Sequence, residues 1–233
     1  MAELIDGLTA ELVRANLVEV RERIAAAAAR AGRDAGGVEI VAAGKYVALE
    51  DLGVLAEAGI ATIGENRAQD LRAKVAAYGD TFAWDFIGHL QSRKVKVVAP
   101  LVRMIHSVGS ASALEQLGRL VAGPERLPAV LVEVNIAGEA GKSGIAPEDL
   151  AAYLHHSPVP VAGLMTMPPR AEAPQDSRRW FAALRELAER HDLAALSMGT
   201  TQDYEVAVEE GATIVRIGTR LFHGRCRKNG GEV

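Results

Sequence analysis

Cysteine is almost missing: Cys226 is the only one in 233 residues. It can form no internal disulfide and no cysteine-based metal centre. The first residues, MAELID, are acidic and no apolar stretch follows them, so no secretory leader is read. Both features point to the cytoplasm. Long hydrophobic runs are missing too. The longest, Ile24 to Ala29 and Val97 to Leu101 with Val102, fall far short of the roughly 20 residues that span a bilayer, so no membrane partner is expected. Neither charge sign dominates. Basic residues number 26 and acidic ones 30, spread along the chain, for a net charge of −4. No nucleic-acid footprint follows from that balance. The histidines (His89, His106, His155, His156, His191, His223) show neither H-E-x-x-H nor H-x-H spacing, so no metal site is indicated.

What is present is globular. Hydrophobic residues make up 49% and charged residues 24%, enough apolar surface to offset the entropy of ordering. Residues 1–36 read as an N-terminal helix. Val13, Leu17, Val20, Ile24 and Ala28 form its apolar stripe, and Gly32 and Gly36-Gly37 end it. Eight short apolar runs then read as strands: Val38 to Gly44, Ala61 to Gly64, Trp84 to Gly88, Arg103 to Val108, Ala129 to Asn135, Val161 to Met167, Ala195 to Gly199 and Thr213 to Gly218. Helices separate them: Leu49 to Ala58, Arg67 to Tyr78, Ser92 to Val98, Ser110 to Val121, one opened by Pro147 and running to His155, Ser177 to His191, and Asp203 to Glu210. None is expected after the eighth strand. Strands apolar on both faces imply a parallel sheet covered by helices. Eight such units imply an α/β chain folded as a single (β/α)8 TIM barrel with an extra N-terminal helix. The whole chain is then one domain, and the polar residues 224–233 form a flexible tail. A doubly wound open sheet is the alternative, but the first strand–helix turn lacks G-x-G-x-x-G.

In such a barrel the chemistry belongs at the C-terminal ends of the strands. Lys45 directly follows the first. A lysine there projects into the mouth, where desolvation frees an amine able to form a Schiff base; a lysine that merely snorkels at a strand end is the bland alternative. The segment SMGTT places Thr200 and Thr201 ahead of a helix start, and RIGT places Gly218 and Thr219 after strand eight. Barrels often bind phosphate in these two loops. Arg216 sits within an apolar strand and needs a partner. Either a carboxylate such as Glu133 or the ring nitrogen of a pyridine cofactor would serve. A lysine facing a phosphate cradle suits pyridoxal phosphate (PLP). Gly138 to Gly144 imitates a nucleotide-binding P-loop, but residue 136 is Ile136 where that motif needs glycine.

The strings GENRAQD, WDFIGHLQSRK, HSV, GLMTMPP and LSMGTTQDYEVAVEEGATIVRIGT, with the strand-one lysine, together resemble the pyridoxal phosphate homeostasis protein family. The resemblance runs from about Val38 to Phe222. It implies a fold-type III PLP-binding barrel, like the N-terminal barrel of alanine racemases without their second β-domain. It implies that Lys45 forms the internal aldimine and that Asn66 is a cofactor-site residue. It sets Arg216 against the pyridine nitrogen and gives the phosphate to Thr201, Gly218 and Thr219, with Ser197 and Thr200 lining the same site. Family members bind PLP, act in vitamin B6 and amino-acid homeostasis, and have no established turnover. A monomer with apo-PLP enzymes as partners fits that pattern. There are departures. Tyr46, Val47 and Ala48 stand where a polar residue and a proline are common, Gly44 where serine or threonine is, and Thr200 where methionine is. The alternative function is a PLP-dependent amino-acid racemase. It needs a second acid/base opposite the lysine, and Tyr46, the only tyrosine near a strand end, should point away if the strand continues.

Overall fold

The computed structural model describes Ile5, residues 7–121 and residues 127–223. The expected tail at 224–233, with Cys226, lies outside the described residues. Eight parallel strands close into a barrel in chain order. They are β1 (Glu39–Ala43), β2 (Thr62–Glu65), β3 (Ala83–Phe86), β4 (Met104–Val108), β5 (Ala129–Glu133), β6 (Val161–Met165), β7 (Ala195–Thr200) and β8 (Ile214–Ile217). The helices are α1 (Ala10–Arg30), α2 (Leu52–Glu57), α3 (Ala68–Tyr78), α4 (Val95–Val98), α5 (Ala111–Leu120), α6 (Leu150–His155), α7 (Arg178–Glu189), α8 (Tyr204–Glu209) and α9 (Thr219–Phe222). No described helix is long and apolar enough to cross a membrane. Ser110 caps α5 as expected, its hydroxyl accepting from the Ala113 amide at 3.3 Å.

Three expectations change. The N-terminal helix starts at Ala10, not at the chain's beginning, because Thr9 caps it: its hydroxyl accepts from the Leu12 amide at 3.2 Å. A helix does follow β8. Four residues are too few for periodicity to reveal, and α9 is held from outside. Third, the strands are not apolar on both faces. One face of each packs under the helices in the main core, with Ala42, Ile63, Phe86, Ile105, Val132, Leu164 and Ile217 among its members. The other face holds only a small apolar cluster, Val41, Leu131, Met165 and Ile214. Polar side chains fill the remainder: Asp85, His106, Ser197 and Arg216 are all buried. Each strand offers two or three residues inward, so one polar residue per strand suffices to make the interior polar while the run still looks hydrophobic.

Helix α1 spans α8 and α9, with the stripe Val13, Leu17, Val20 and Ile24 buried beneath it. Exposed ion pairs run alongside, Arg23 to Glu205 at 3.1 Å and Arg30 to Glu209 at 2.7 Å. Each adds little in water. The buried Asn16 matters more. Its Nδ2 donates to the carbonyls of Leu221 at 3.0 Å and His223 at 3.1 Å, so it finishes α9 from a different part of the chain. Asn16→Ala leaves both carbonyls without this donor. The expected loss is about 1–3 kcal/mol of stability, read as a lower denaturation midpoint. The exposed control Arg21→Ala should leave the midpoint nearly unchanged. Equal midpoints for the two variants would refute the assignment.

Candidate functional site

The C-terminal ends of the strands surround a cavity of about 570 Å³. Seven of the eight expected residues line it: Lys45, Asn66, Thr200, Thr201, Arg216, Gly218 and Thr219. Ser197 does not. It lies beneath Arg216, fully buried.

β1 stops at Ala43, and Gly44–Tyr46 form a tight turn. That turn corrects the reading of Tyr46. Strand alternation no longer applies, so Tyr46 lines the cavity together with Lys45. The Lys45 ammonium lies 4.7 Å from the centroid of the Tyr46 ring, within cation–π range. The ring also covers Gly218, where a Cβ would sit 3.3 Å from Tyr46 Cε2. Lys45 is exposed. Asn66 follows β2, and its Oδ1 is sealed from solvent without a hydrogen-bond partner.

The loops after β7 and β8 are fastened to each other. Thr201 Oγ1 accepts from the Gly218 amide at 3.1 Å. Thr200 gives both its amide (2.8 Å) and its hydroxyl (3.1 Å) to Asp203 Oδ1, and Asp203 Oδ2 in turn accepts from Ser177 at 2.9 Å. Thr200 therefore shapes the loop and has no spare donor.

Arg216 is 5% exposed and hydrogen-bonds no carboxylate. It donates to the Ser197 carbonyl at 2.8 Å, to Ser197 Oγ at 2.5 Å and to the Thr166 carbonyl at 2.9 Å. Glu133, expected as one possible partner, instead accepts from Ser143 Oγ at 2.6 Å. Burial pushes the Arg216 guanidinium down to about 10, against the opposing charges of Asp203 and Glu133. It remains protonated at neutral pH.

Below Arg216 a polar chain runs through the barrel. His106 Nδ1 meets Ser197 Oγ at 2.8 Å and its Nε2 meets Asp85 Oδ2 at 3.1 Å. Arg103 grips Asp85 through Nε at 2.9 Å and Nη2 at 3.0 Å, and also bonds Glu39. Thr62 closes the chain on Glu39 at 2.8 Å. Attention to strand ends missed Asp85 and Glu39. The available signal was a charge inside an apolar strand, in WDFI and VEIV. Of the other cavity residues, His89, Lys142 and Ser143 carry no role in the sequence reading. Lys142 and Ser143 belong to the P-loop lookalike, which bends back through an Asn135 bracket: Asn135 Nδ2 donates to the Glu139 carbonyl at 2.9 Å, and the Glu139 amide donates to Asn135 Oδ1 at 3.1 Å. Among the described residues no His, Cys, Asp or Glu cluster could hold a metal ion.

A closed parallel barrel with a lysine just behind β1, a buried arginine on β8 and two linked hydroxyl-bearing loops is a barrel of the alanine racemase N-terminal type. The family described as "Alanine racemase, N-terminal domain" matches residues 13–225. A pyridoxal phosphate homeostasis protein of Aquifex aeolicus is 40% identical over 220 residues, covering 90% of this chain and 96% of that one. The chain belongs to the pyridoxal phosphate homeostasis protein family. The structure of PipY from Synechococcus elongatus PCC7942, with PLP bound, matches with a TM-score of 0.76 at 28% identity, over 91% of this chain and 100% of that one. An alanine racemase of Bartonella henselae shares the fold alone, with a TM-score of 0.70 at 12% identity over 92% of this chain and 59% of that one.

Burial holds the His106 imidazole below its ordinary value, against the pull of Asp85 and with the help of Arg216 and Arg103. His106 is therefore neutral in the folded protein under conditions where the unfolded chain takes up a proton. The stability it contributes is complete above about pH 6.5 and is lost as pH falls below that, by at most about 1.4 kcal/mol per pH unit. His106→Gln should flatten this dependence. Denaturation midpoints compared at about pH 7.5 and about pH 5.5 should differ less in the variant than in the wild type. An unchanged difference assigns the effect to another group.

Proposed function

We propose that this protein binds pyridoxal 5′-phosphate at the barrel mouth through Lys45 and serves intracellular vitamin B6 and amino-acid homeostasis. One juxtaposition carries the reading. The exposed Lys45 amine and the buried Arg216 guanidinium face one cavity, and Thr201 and Thr219 form part of its wall. The volume suits a small ligand. The sealed and unpartnered Asn66 Oδ1 favours a polar occupant. When bound, PLP supplies an aldehyde that condenses with a primary amine and releases water.

Lys45 is that amine. Thr201, Gly218 and Thr219 hold the phosphate, and Thr200 fixes the loop through Asp203. Arg216 faces the pyridine nitrogen and, being protonated at neutral pH, keeps it an acceptor and the ring a weak electron sink. Ser197 acts from below by orienting Arg216. In this reading, at neutral pH, one barrel domain works as a cytoplasmic monomer, a carrier or regulator of PLP, with apo-PLP enzymes as partners and no turnover of its own. The racemase reading gains nothing from Tyr46. It stands beside Lys45, whereas two-base proton exchange needs groups on opposite sides of the cofactor.

Two measurements test this reading. Borohydride reduction of PLP-loaded protein followed by peptide mapping should place the label on Lys45, and Lys45→Ala should stay folded and carry none. A label on Lys142, also in the cavity wall, or on Lys94 would refute the assignment. Thr201→Ala should weaken PLP binding by about one to two decades, since a hydrogen bond to an anion is worth roughly 1.5–3 kcal/mol. Pyridoxal, which lacks the phosphate, should bind almost as before. Equal losses for both ligands would remove Thr201 from the phosphate site.

A further inference from the structure

Lys74 lies outside the cavity and has no part in the reading above. It is buried on α3, 6% exposed. Its ammonium donates to three acceptors: the Gly44 carbonyl at 2.8 Å, the Val47 carbonyl at 2.9 Å and Glu65 Oε1 at 2.5 Å. An ammonium has three N–H groups, so all are used. Gly44 opens the turn that carries Lys45, and Val47 follows it. Glu65 ends β2 with no exposure at all, and its Oε2 accepts from the Asn66 amide at 3.2 Å. One buried ion pair thus fastens the Lys45 turn on one side and the Asn66 backbone on the other.

Gly44 records the same constraint. A Cβ there would lie 2.6 Å from Glu65 Oε1 and 2.8 Å from Ile63 Cγ2. The carboxylate that anchors Lys74 occupies the space a side chain at residue 44 would need. The pair also lacks an alternative: a lysine removed from water without its anion and carbonyls is strongly disfavoured.

We propose that Lys74 is a positioning residue for Lys45: clamped by Glu65, it holds the Gly44–Tyr46 turn through its flanking carbonyls and so fixes where the Lys45 amine enters the cavity. The inference rests on Lys45 being the amine that meets PLP. Lys74 touches neither the amine nor the cofactor. Its influence therefore falls on the rate of the condensation, which is sensitive to small misplacement of the reacting atoms. It should not fall on noncovalent binding of the phosphate and ring, which other loops provide.

The experiment compares two ligands on the full-length protein. PLP reports the rate of covalent adduct formation, followed by absorbance. Pyridoxine 5′-phosphate has an alcohol in place of the aldehyde, forms no bond with an amine, and reports noncovalent affinity by calorimetry. Lys74→Met should slow adduct formation at least about tenfold while pyridoxine 5′-phosphate affinity stays within about twofold. Lys74→Arg, which restores a buried donor, should recover much of the rate. If Lys74→Met fails to fold, the near-isosteric Glu65→Gln is decisive: a slower adduct rate with unchanged pyridoxine 5′-phosphate affinity supports the role. An unchanged rate in the folded variant overturns the proposal, as does a loss of affinity that matches the loss of rate. Wild-type protein that forms no adduct with PLP refutes the Lys45 reading itself and this inference with it.

Discussion

Pairing of β1 with β8, with Glu39 opposite Ile214, Val41 opposite Arg216 and Ala42 opposite Ile217, joins the two ends of the sheet. Everything at the mouth depends on this closure. It places the turn after β1 against the turn after β8, so that Tyr46 covers Gly218 and Lys45 shares a cavity with Arg216. Residues about 170 positions apart become neighbours because a parallel barrel has no free edge. Helix α1 reinforces the seam from outside by packing on α9, and its Asn16 donates to the carbonyls of Leu221 and His223 at the end of that helix.

The barrel interior carries a second constraint. A guanidinium as deeply buried as that of Arg216 needs polar partners at every step inward. The chain Ser197, His106, Asp85, Arg103, Glu39 supplies them, and it ends on residues that reach solvent, since Arg103 and Glu39 are partly exposed. Neutral Ser197 and His106 separate Arg216 from Asp85, and Asp85, Arg103 and Glu39 alternate in sign, so no like charges are hydrogen-bonded to each other. A network satisfied in this way holds Arg216 in one orientation, whereas a half-satisfied one would be worse than an apolar core. The same logic recurs at smaller scale in Lys74 and Glu65, and in the Thr200–Asp203–Ser177 bracket behind the loop after β7.

The division of labour around the cavity follows from these supports. Groups proposed to meet the cofactor, Lys45, Thr201 and Thr219, stand at strand ends with their side chains accessible or partly so. Groups packed behind the cavity, Lys74, Glu65, Ser197 and His106, are buried and use their hydrogen-bonding capacity within the protein. Such an arrangement lets a rigid scaffold present accessible groups in fixed positions.

The sequence by itself determined the alternation of strands and helices, the barrel count of eight and the placing of Lys45, Arg216 and the Thr201 and Gly218 loops at one end of the barrel. These features are local: apolar runs of strand length, glycine stops and a residue's place at a strand end are all legible along the chain. Tertiary structure decided the rest. Whether Tyr46 faced the cavity turned on β1 ending at Ala43. Whether Arg216 met a carboxylate turned on Ser197 of β7 and on Thr166, just past β6. That Asn16 would finish α9, and Lys74 hold the turn of Lys45, follows only from contacts across 205 and 30 positions of sequence. Hydrogen-bond partners of buried polar groups are chosen by which strand ends and helix faces closure brings within about 3 Å, and no periodicity in the chain encodes that choice.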